Sequence, residues 1–291
     1  MRQDRPLSFY LLALFFAAYV LFLYGPMLAI FVLSFQGPQG GLTFPMNGFS
    51  LHWFGKLFAG NGIVDIGAAF RRSLALGSMV MVITVVFSVA AGLAFRKKFY
   101  GASIIFYAAI ASLIVPSIVT SLGIALEFRL VDDFIKNYLS QDWQTAMGLF
   151  TSGLGAHLTW TLPFGLLIMF AIFNRFDSKL EEAARDLGAS PWQAFRFVVL
   201  PIIMPSVIGI GLFGFTLSWD ELARSSQAIG SVNTLPLELQ GLTSTVTKPD
   251  IYALGTVTTG VSFLVIGLCL GVILMLQRRQ KRFGSDAGKG V

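Results

Sequence analysis

Cysteine, histidine and charge are all scarce in this 291-residue chain, and each scarcity removes a class of function. Cys269 is the only cysteine, so no internal disulfide and no cysteine-rich metal site can form; a lone thiol in an apolar run behaves as a small hydrophobe. His52 and His157 are the only histidines, lie far apart and have no carboxylates at ligand spacing, so no metal site is expected and both are read as structural. The tail Gly284-Ser285-Asp286-Ala287-Gly288-Lys289-Gly290 distantly echoes a phosphate-binding loop. It is one residue short, has Gly290 where a hydroxyl is needed, and follows no strand, so it cannot cradle a nucleotide. No catalytic residues and no cofactor bound by this chain are expected.

Charged residues make up 12% of the chain, against roughly a quarter in soluble domains, while 55% of residues are apolar. That composition belongs in lipid. A helix needs about 20 apolar residues to cross the hydrocarbon core. Six runs reach this length, at about 8–35, 70–95, 101–126, 145–173, 198–219 and 251–277, which predicts an all-α integral membrane protein with six transmembrane helices. Arg2 and Arg5 precede the first run as they would in a secretory signal. The run is far longer than a signal core and no small-x-small cleavage site follows, so it reads as a retained span.

Lys and Arg set the expected orientation. If both termini are cytoplasmic, fourteen of the 21 basic residues fall inside, including Arg96-Lys97-Lys98 and Arg278-Arg279-Gln280-Lys281-Arg282, and seven outside. The two clusters flank spans, where anionic lipid attracts each residue by about 1 kcal/mol, so the net charge of +6 needs no nucleic-acid partner. Arg71 and Arg72 fit least well, since they sit at the outer end of the second span and must snorkel or line a polar path.

The segment 174–197 is a polar interruption between two long apolar runs. Ser178 stands three residues before Glu181, the spacing of a capping box, which predicts a helix starting at Lys179. Gly188 is placed to end it, because glycine enters the left-handed region without steric cost. Ser190-Pro191-Trp192-Gln193 then repeats the start signal, predicting a second helix at a fixed angle to the first. An amphipathic helix lying on a membrane surface is also rich in Ala and Glu, so composition alone leaves both readings open.

The spacing is more specific. Glu182, Ala183, Ala184, Gly188, Val198, Leu200 and Pro201 resemble, in register, the EAA signature of permease subunits of bacterial ABC importers. The resemblance implies a type I importer permease fold over 1–283, with a cytoplasmic coupling helix carrying Glu182, Ala183, Ala184, Arg185, Asp186 and Gly188, and a polar tail at 284–291 expected to be disordered. The implied partners are two copies of an ATP-binding subunit that holds ATP and Mg, a second permease chain of different sequence, and a periplasmic solute-binding protein. Phe215-Thr216-Leu217-Ser218, Ser225-Ser226, Thr234-Leu235-Pro236-Leu237 and Asp250-Ile251-Tyr252-Ala253-Leu254-Gly255-Thr256 are similar to the spermidine/putrescine-type branch. Related permeases serve opines or other amino-acid derivatives, thiamine and ferric iron.

Trp219, Asp220 and Glu221 end the fifth run near the outer boundary and are the candidate substrate-path residues. Acids near a membrane are costly and normally face water, and a tryptophan face attracts ammonium groups; equally, Trp anchors interfaces and loop acids are ordinarily solvated. Pro116, Pro163, Pro201 and Pro205 mark bends, and Gly209, Gly211, Gly214, Gly255 and Gly260 permit close helix approach. A secondary transporter would need an internal repeat with matching intramembrane charges, and none is found.

Overall fold

The computed structural model describes residues 6–59, 65–245 and 249–282. Every regular element in them is helical: α1 (Leu7–Leu33), α2 (His52–Phe58), α3 (Ile66–Phe95), α4 (Ala102–Ala111), α5 (Ser117–Tyr138), α6 (Leu154–Phe173), α7 (Lys179–Asp186), α8 (Pro191–Ala194), α9 (Leu200–Trp219), α10 (Ser225–Ala228), α11 (Leu235–Thr245) and α12 (Asp250–Arg282). Single π-helical turns lead into α6 at Leu149–Gly153 and into α9 at Phe195–Val199. The tail at 284–291, expected to be disordered, lies outside the described residues, as do Arg2 and Arg5.

Contacts divide the chain into two units, Met1–Gly67 with Leu239–Val261, and Ala68–Glu238 with Ser262–Val291. In the first, α1 is apolar on every face and leaves most of its large side chains exposed, as a helix solvated by lipid must. The following loop folds around buried Gln36, which donates to the Gly41 carbonyl at 3.1 Å and accepts from the Asn47 N–H at 2.8 Å. Tyr252 ties the start of α12 to this loop by donating to the Leu42 carbonyl at 2.7 Å.

In the second unit, α3, α6 and α9 pack through a stripe of small residues. Ala69, Ser73, Gly77, Val80, Thr84, Ser88 and Gly92 recur at helical spacing on the buried side of α3. With no hydrophobic drive between helices in lipid, close backbone approach and interhelical hydrogen bonds hold such faces together. A Cβ on Gly165 of α6 would fall 2.0 Å from the Ser88 hydroxyl, and one on Gly92 would fall 2.8 Å from Met169. Gly211 and Gly214 of α9 meet Met81, Thr84 and Val85 as expected, whereas Gly209 and Gly260 face open space. Thr84 donates to Thr161 across the α3–α6 contact at 2.9 Å. Met169, Val199, Ile203, Val207 and Ile210 form the apolar core beside it.

The apolar run at 101–126 is not one helix. α4 ends at Ala111, and α5 begins after Pro116, which caps it in an extended conformation. Pro116 has no N–H to continue the ladder, and its ring pushes Val115 out of the helical region. Five helical stretches among the described residues are therefore long and apolar enough to cross a membrane: Leu7–Leu33, Ile66–Phe95, Leu149–Phe173, Pro191–Trp219 and Asp250–Met275. The break is coupled to a second proline. Pro163 inside α6 cannot bond the Thr159 carbonyl four residues earlier, and Ser112, just past the end of α4, donates its hydroxyl to that carbonyl at 2.6 Å.

Candidate functional site

The polar segment forms a helix hairpin. α7 begins at Lys179 as its spacing predicts, but the capping box between Ser178 and Glu181 does not form: Ser178 is itself helical, at φ −63° and ψ −21°, and its side chain caps nothing. Asp177 fills the role, accepting from the Lys179 N–H at 3.0 Å. Glu181 is instead drawn to two guanidinium groups, Arg185 at 2.6 Å and Arg96 at 2.8 Å, because charge-assisted bonds outcompete a neutral backbone donor.

The end of α7 matches expectation closely. Gly188 takes φ +88°, its N–H bonds the Arg185 carbonyl at 2.8 Å, and the Ala189 N–H bonds the Ala184 carbonyl at 3.1 Å. This is a Schellman closure with glycine at the left-handed position. Ser190 and Gln193 form a full capping box at 2.8 and 3.3 Å. The second helix is not a separate arm, however. α8 runs through the π turn straight into α9, so Pro191–Trp219 is one helical stretch with its first residues projecting beyond the apolar span.

The hairpin's outward surface combines charge and apolar area. Glu182, Ala183, Arg185, Asp186 and Gly188 are exposed and Ala184 is half-buried. Leu187 is 90% exposed, with Trp192 and Phe197 also open beside an open groove of about 430 Å³ lined by Ala184, Gly188, Ala189 and Val198. Exposed apolar side chains thus lie beside a rigidly capped turn that also presents charge.

Trp219, Asp220 and Glu221, at the other end of α9, have separate environments. Trp219 is buried, stacked on Phe215 at 5.7 Å and edge-on to Phe70 at 5.5 Å. Asp220 is exposed, yet crowding at the helix end removes enough water to push its carboxyl above the usual range. Glu221 is 6% exposed and paired with Arg224 at 3.4 Å, while also accepting the Arg224 N–H at 2.8 Å.

Arg224 is the hub of this region and is only 3% exposed. Its guanidinium donates to Ser117 at 2.8 Å and Thr159 at 3.2 Å and lies 4.5 Å from the Trp160 ring centroid. Its carbonyl accepts from Ser121 at 2.8 Å. Beside it, fully buried His157 bridges Ser218 at 2.8 Å and Ser225 at 2.9 Å, binding α6 to both sides of the turn after α9. Distances along the chain hid these partners; the visible hint was polar His157, Thr159 and Thr161 within an apolar run.

A further ordered carboxylate, Asp132 of α5, accepts from Trp143 at 2.9 Å and from the Ala146 N–H at 2.6 Å, and from Thr145. Burial pushes its carboxyl up, but these hydrogen bonds, with the nearby Lys136 charge, outweigh that and hold it below the usual range. No cluster of His, Cys, Asp or Glu among the described residues has metal-binding geometry.

Residues 84–282 match the family described as binding-protein-dependent transport system inner membrane component. The spermidine/putrescine transport system permease protein PotC of Haemophilus influenzae is 30% identical over 269 residues, covering 92% of this chain and 96% of that protein. The putrescine transport system permease protein PotI of Escherichia coli K12 is 29% identical over 82% of each chain. Among solved structures, a bacterial alginate ABC transporter in complex with an alginate pentasaccharide-bound periplasmic protein superposes with a TM-score of 0.60 at 14% identity, covering 95% of this chain and 94% of that one. A bacterial alginate-importing ABC transporter gives 0.58 at 15% identity, covering 97% and 100%. The chain thus belongs to the inner-membrane components of binding-protein-dependent transport systems and is a multi-pass permease subunit of an ABC importer.

Proposed function

We propose that this permease imports a polyamine-like organic cation and that α7 is its coupling helix. The observation carrying the coupling assignment is the hairpin itself: a short helix closed at both ends, exposing Glu182, Ala183, Asp186 and Leu187 beside an open groove. Glu182 and Asp186 make no ion pair among the described residues, which leaves their charges for a partner. That partner is an ATP-binding subunit, present twice and holding ATP and Mg, and the assembly is completed by a second, different permease chain and a periplasmic binding protein.

In this reading six segments cross the membrane with both termini cytoplasmic. α4 and the first half of α5 together make the third crossing, bent at Pro116, where Ser112 and Thr159 supply the polar link that a broken helix needs in lipid. ATP binding draws the two ATPases together and displaces α7. Because α7 packs on α8 and the π turn, and these continue into α9, the displacement reaches the far end of α9 along one helical stretch. Alternating access follows from that lever.

Support for the cargo comes from the names of the relatives and from the acids at the end of α9. Since Arg224 already answers Glu221, the acid left for a cargo ammonium group is Asp220. Trp219, stacked on Phe215 and edge-on to Phe70, positions that helix end and does not itself face cargo.

The test is isolation of the chain from its native membrane in mild detergent, mass spectrometry of what accompanies it, and spermidine uptake by the reconstituted complex. Recovery of an ATPase that is lost with Glu182→Ala supports the coupling assignment, and reduced spermidine affinity in Asp220→Asn with assembly intact supports the path. A chain that purifies alone and moves spermidine without ATP would overturn both in favour of a secondary transporter.

A further inference from the structure

We propose that Arg96 is a positioning residue that fastens α7 to the adjoining ends of α3 and α6, so that movement of α7 reaches those helices as well as α9. The inference rests on α7 being the coupling helix. Arg96 follows directly on the last residue of α3. Its guanidinium lies 5.2 Å from the ring centroids of both Phe173, the last residue of α6, and Phe176 in the turn beyond, while Nη1 reaches Glu181 Oε2 of α7 at 2.8 Å. One planar cation thereby touches three elements.

The surroundings give this contact its importance. One turn earlier on α3, Gly92 abuts Met169 and Phe173 so closely that a Cβ would sit 2.8–2.9 Å from them, so α3 and α6 are locked together at this level. Between α3 and α7, by contrast, lies an open cleft of about 230 Å³, bordered by Leu93, Lys97, Ser178 and Glu182. Among the described residues, Arg96–Glu181 is the one ion pair that spans it. The Arg96 and Glu181 side chains are 24% and 15% exposed, so the pair is partly shielded from water, unlike the 52% exposed Arg185 side chain. Glu181 spends its second oxygen on Arg185 of its own helix, which fixes the carboxylate for the reach to Arg96. α7 is thus packed on α8 and the π turn on one side and strutted to α3–α6 on the other.

The test uses the native complex, with Cys269→Ala and spin labels at exposed Val86→Cys on α3 and exposed Lys179→Cys at the start of α7. In the parent complex the distance between the labels should stay the same with and without trapped nucleotide. Arg96→Ala should broaden it and make it differ between the two states, and should lower spermidine uptake per ATP hydrolysed by about five- to tenfold with assembly unchanged. Arg96→Lys, which keeps the charge and loses the planar guanidinium set over the two rings, should fall between, and Arg96→Ala with Glu181→Ala should be no worse than Arg96→Ala alone. Glu181→Gln, which removes only the charge, repeats the measurement if Arg96→Ala fails to assemble. Parent-like distances and coupling in both variants would overturn the strut, as would a loss that only tracks failed assembly. A parent chain that recruits no ATPase would instead overturn the coupling assignment and this inference together.

Discussion

Gly188 offers the sharpest test of how the hairpin is built. At φ +88° it occupies a region that places a Cβ too close to the following carbonyl, at a cost of roughly 1–2 kcal/mol for an L-residue. A Cβ there meets no other atom within 4 Å, so the cost of Gly188→Ala is purely conformational. It falls on the closure formed by the Gly188 and Ala189 N–H groups, and should lower the population of the closed turn by about 5- to 30-fold. Hydrogen exchange at the Ala189 amide should accelerate by that factor, while the apolar contacts of α6 and α9 stay protected. Gly188→Asn should recover most of the protection, because asparagine tolerates the left-handed region better than alanine. If the alanine variant exchanges at the parent rate, or if asparagine is as damaging as alanine, the turn does not depend on backbone conformation and the reasoning fails.

Two further outcomes follow from the buried polar contacts. Ser112→Ala should leave the Thr159 carbonyl, already deprived of its helical donor by Pro163, without a partner, lowering stability by about 1 kcal/mol; thermal unfolding in detergent should detect it, and Ser112→Thr should restore it. Glu221→Gln and Arg224→Met should each destabilise the protein by about 3–5 kcal/mol by stranding a buried charge, whereas the double variant should be much milder, a non-additivity readable in a double-mutant cycle of unfolding midpoints.

The sequence alone determined the features that depend on local chemistry and on solvent. Apolar runs longer than a bilayer core announced membrane helices, since an apolar helix of that length has no other low-energy solvent. Gly188 and the Ser190–Gln193 box were legible because caps act over three or four residues, and Pro116 could be read as a bend. Only the tertiary structure decided how far these local rules held. Glu181 satisfied the spacing of a capping box but was taken by Arg96, 85 positions away, because a second guanidinium outbids a backbone N–H. Pro116 proved to separate two helices, and Ser112 beside that break supplies a donor to the Thr159 carbonyl of another helix, which Pro163 leaves without its own. Glu221 was legible as a candidate path residue at the end of an apolar run, whereas its pairing with Arg224, itself anchored by Ser117, Thr159 and Trp160, was decided by packing. Periodicity and capping are properties of a few consecutive residues, whereas the partner of a buried charge is whichever side chain the packing of distant helices brings within hydrogen-bond reach.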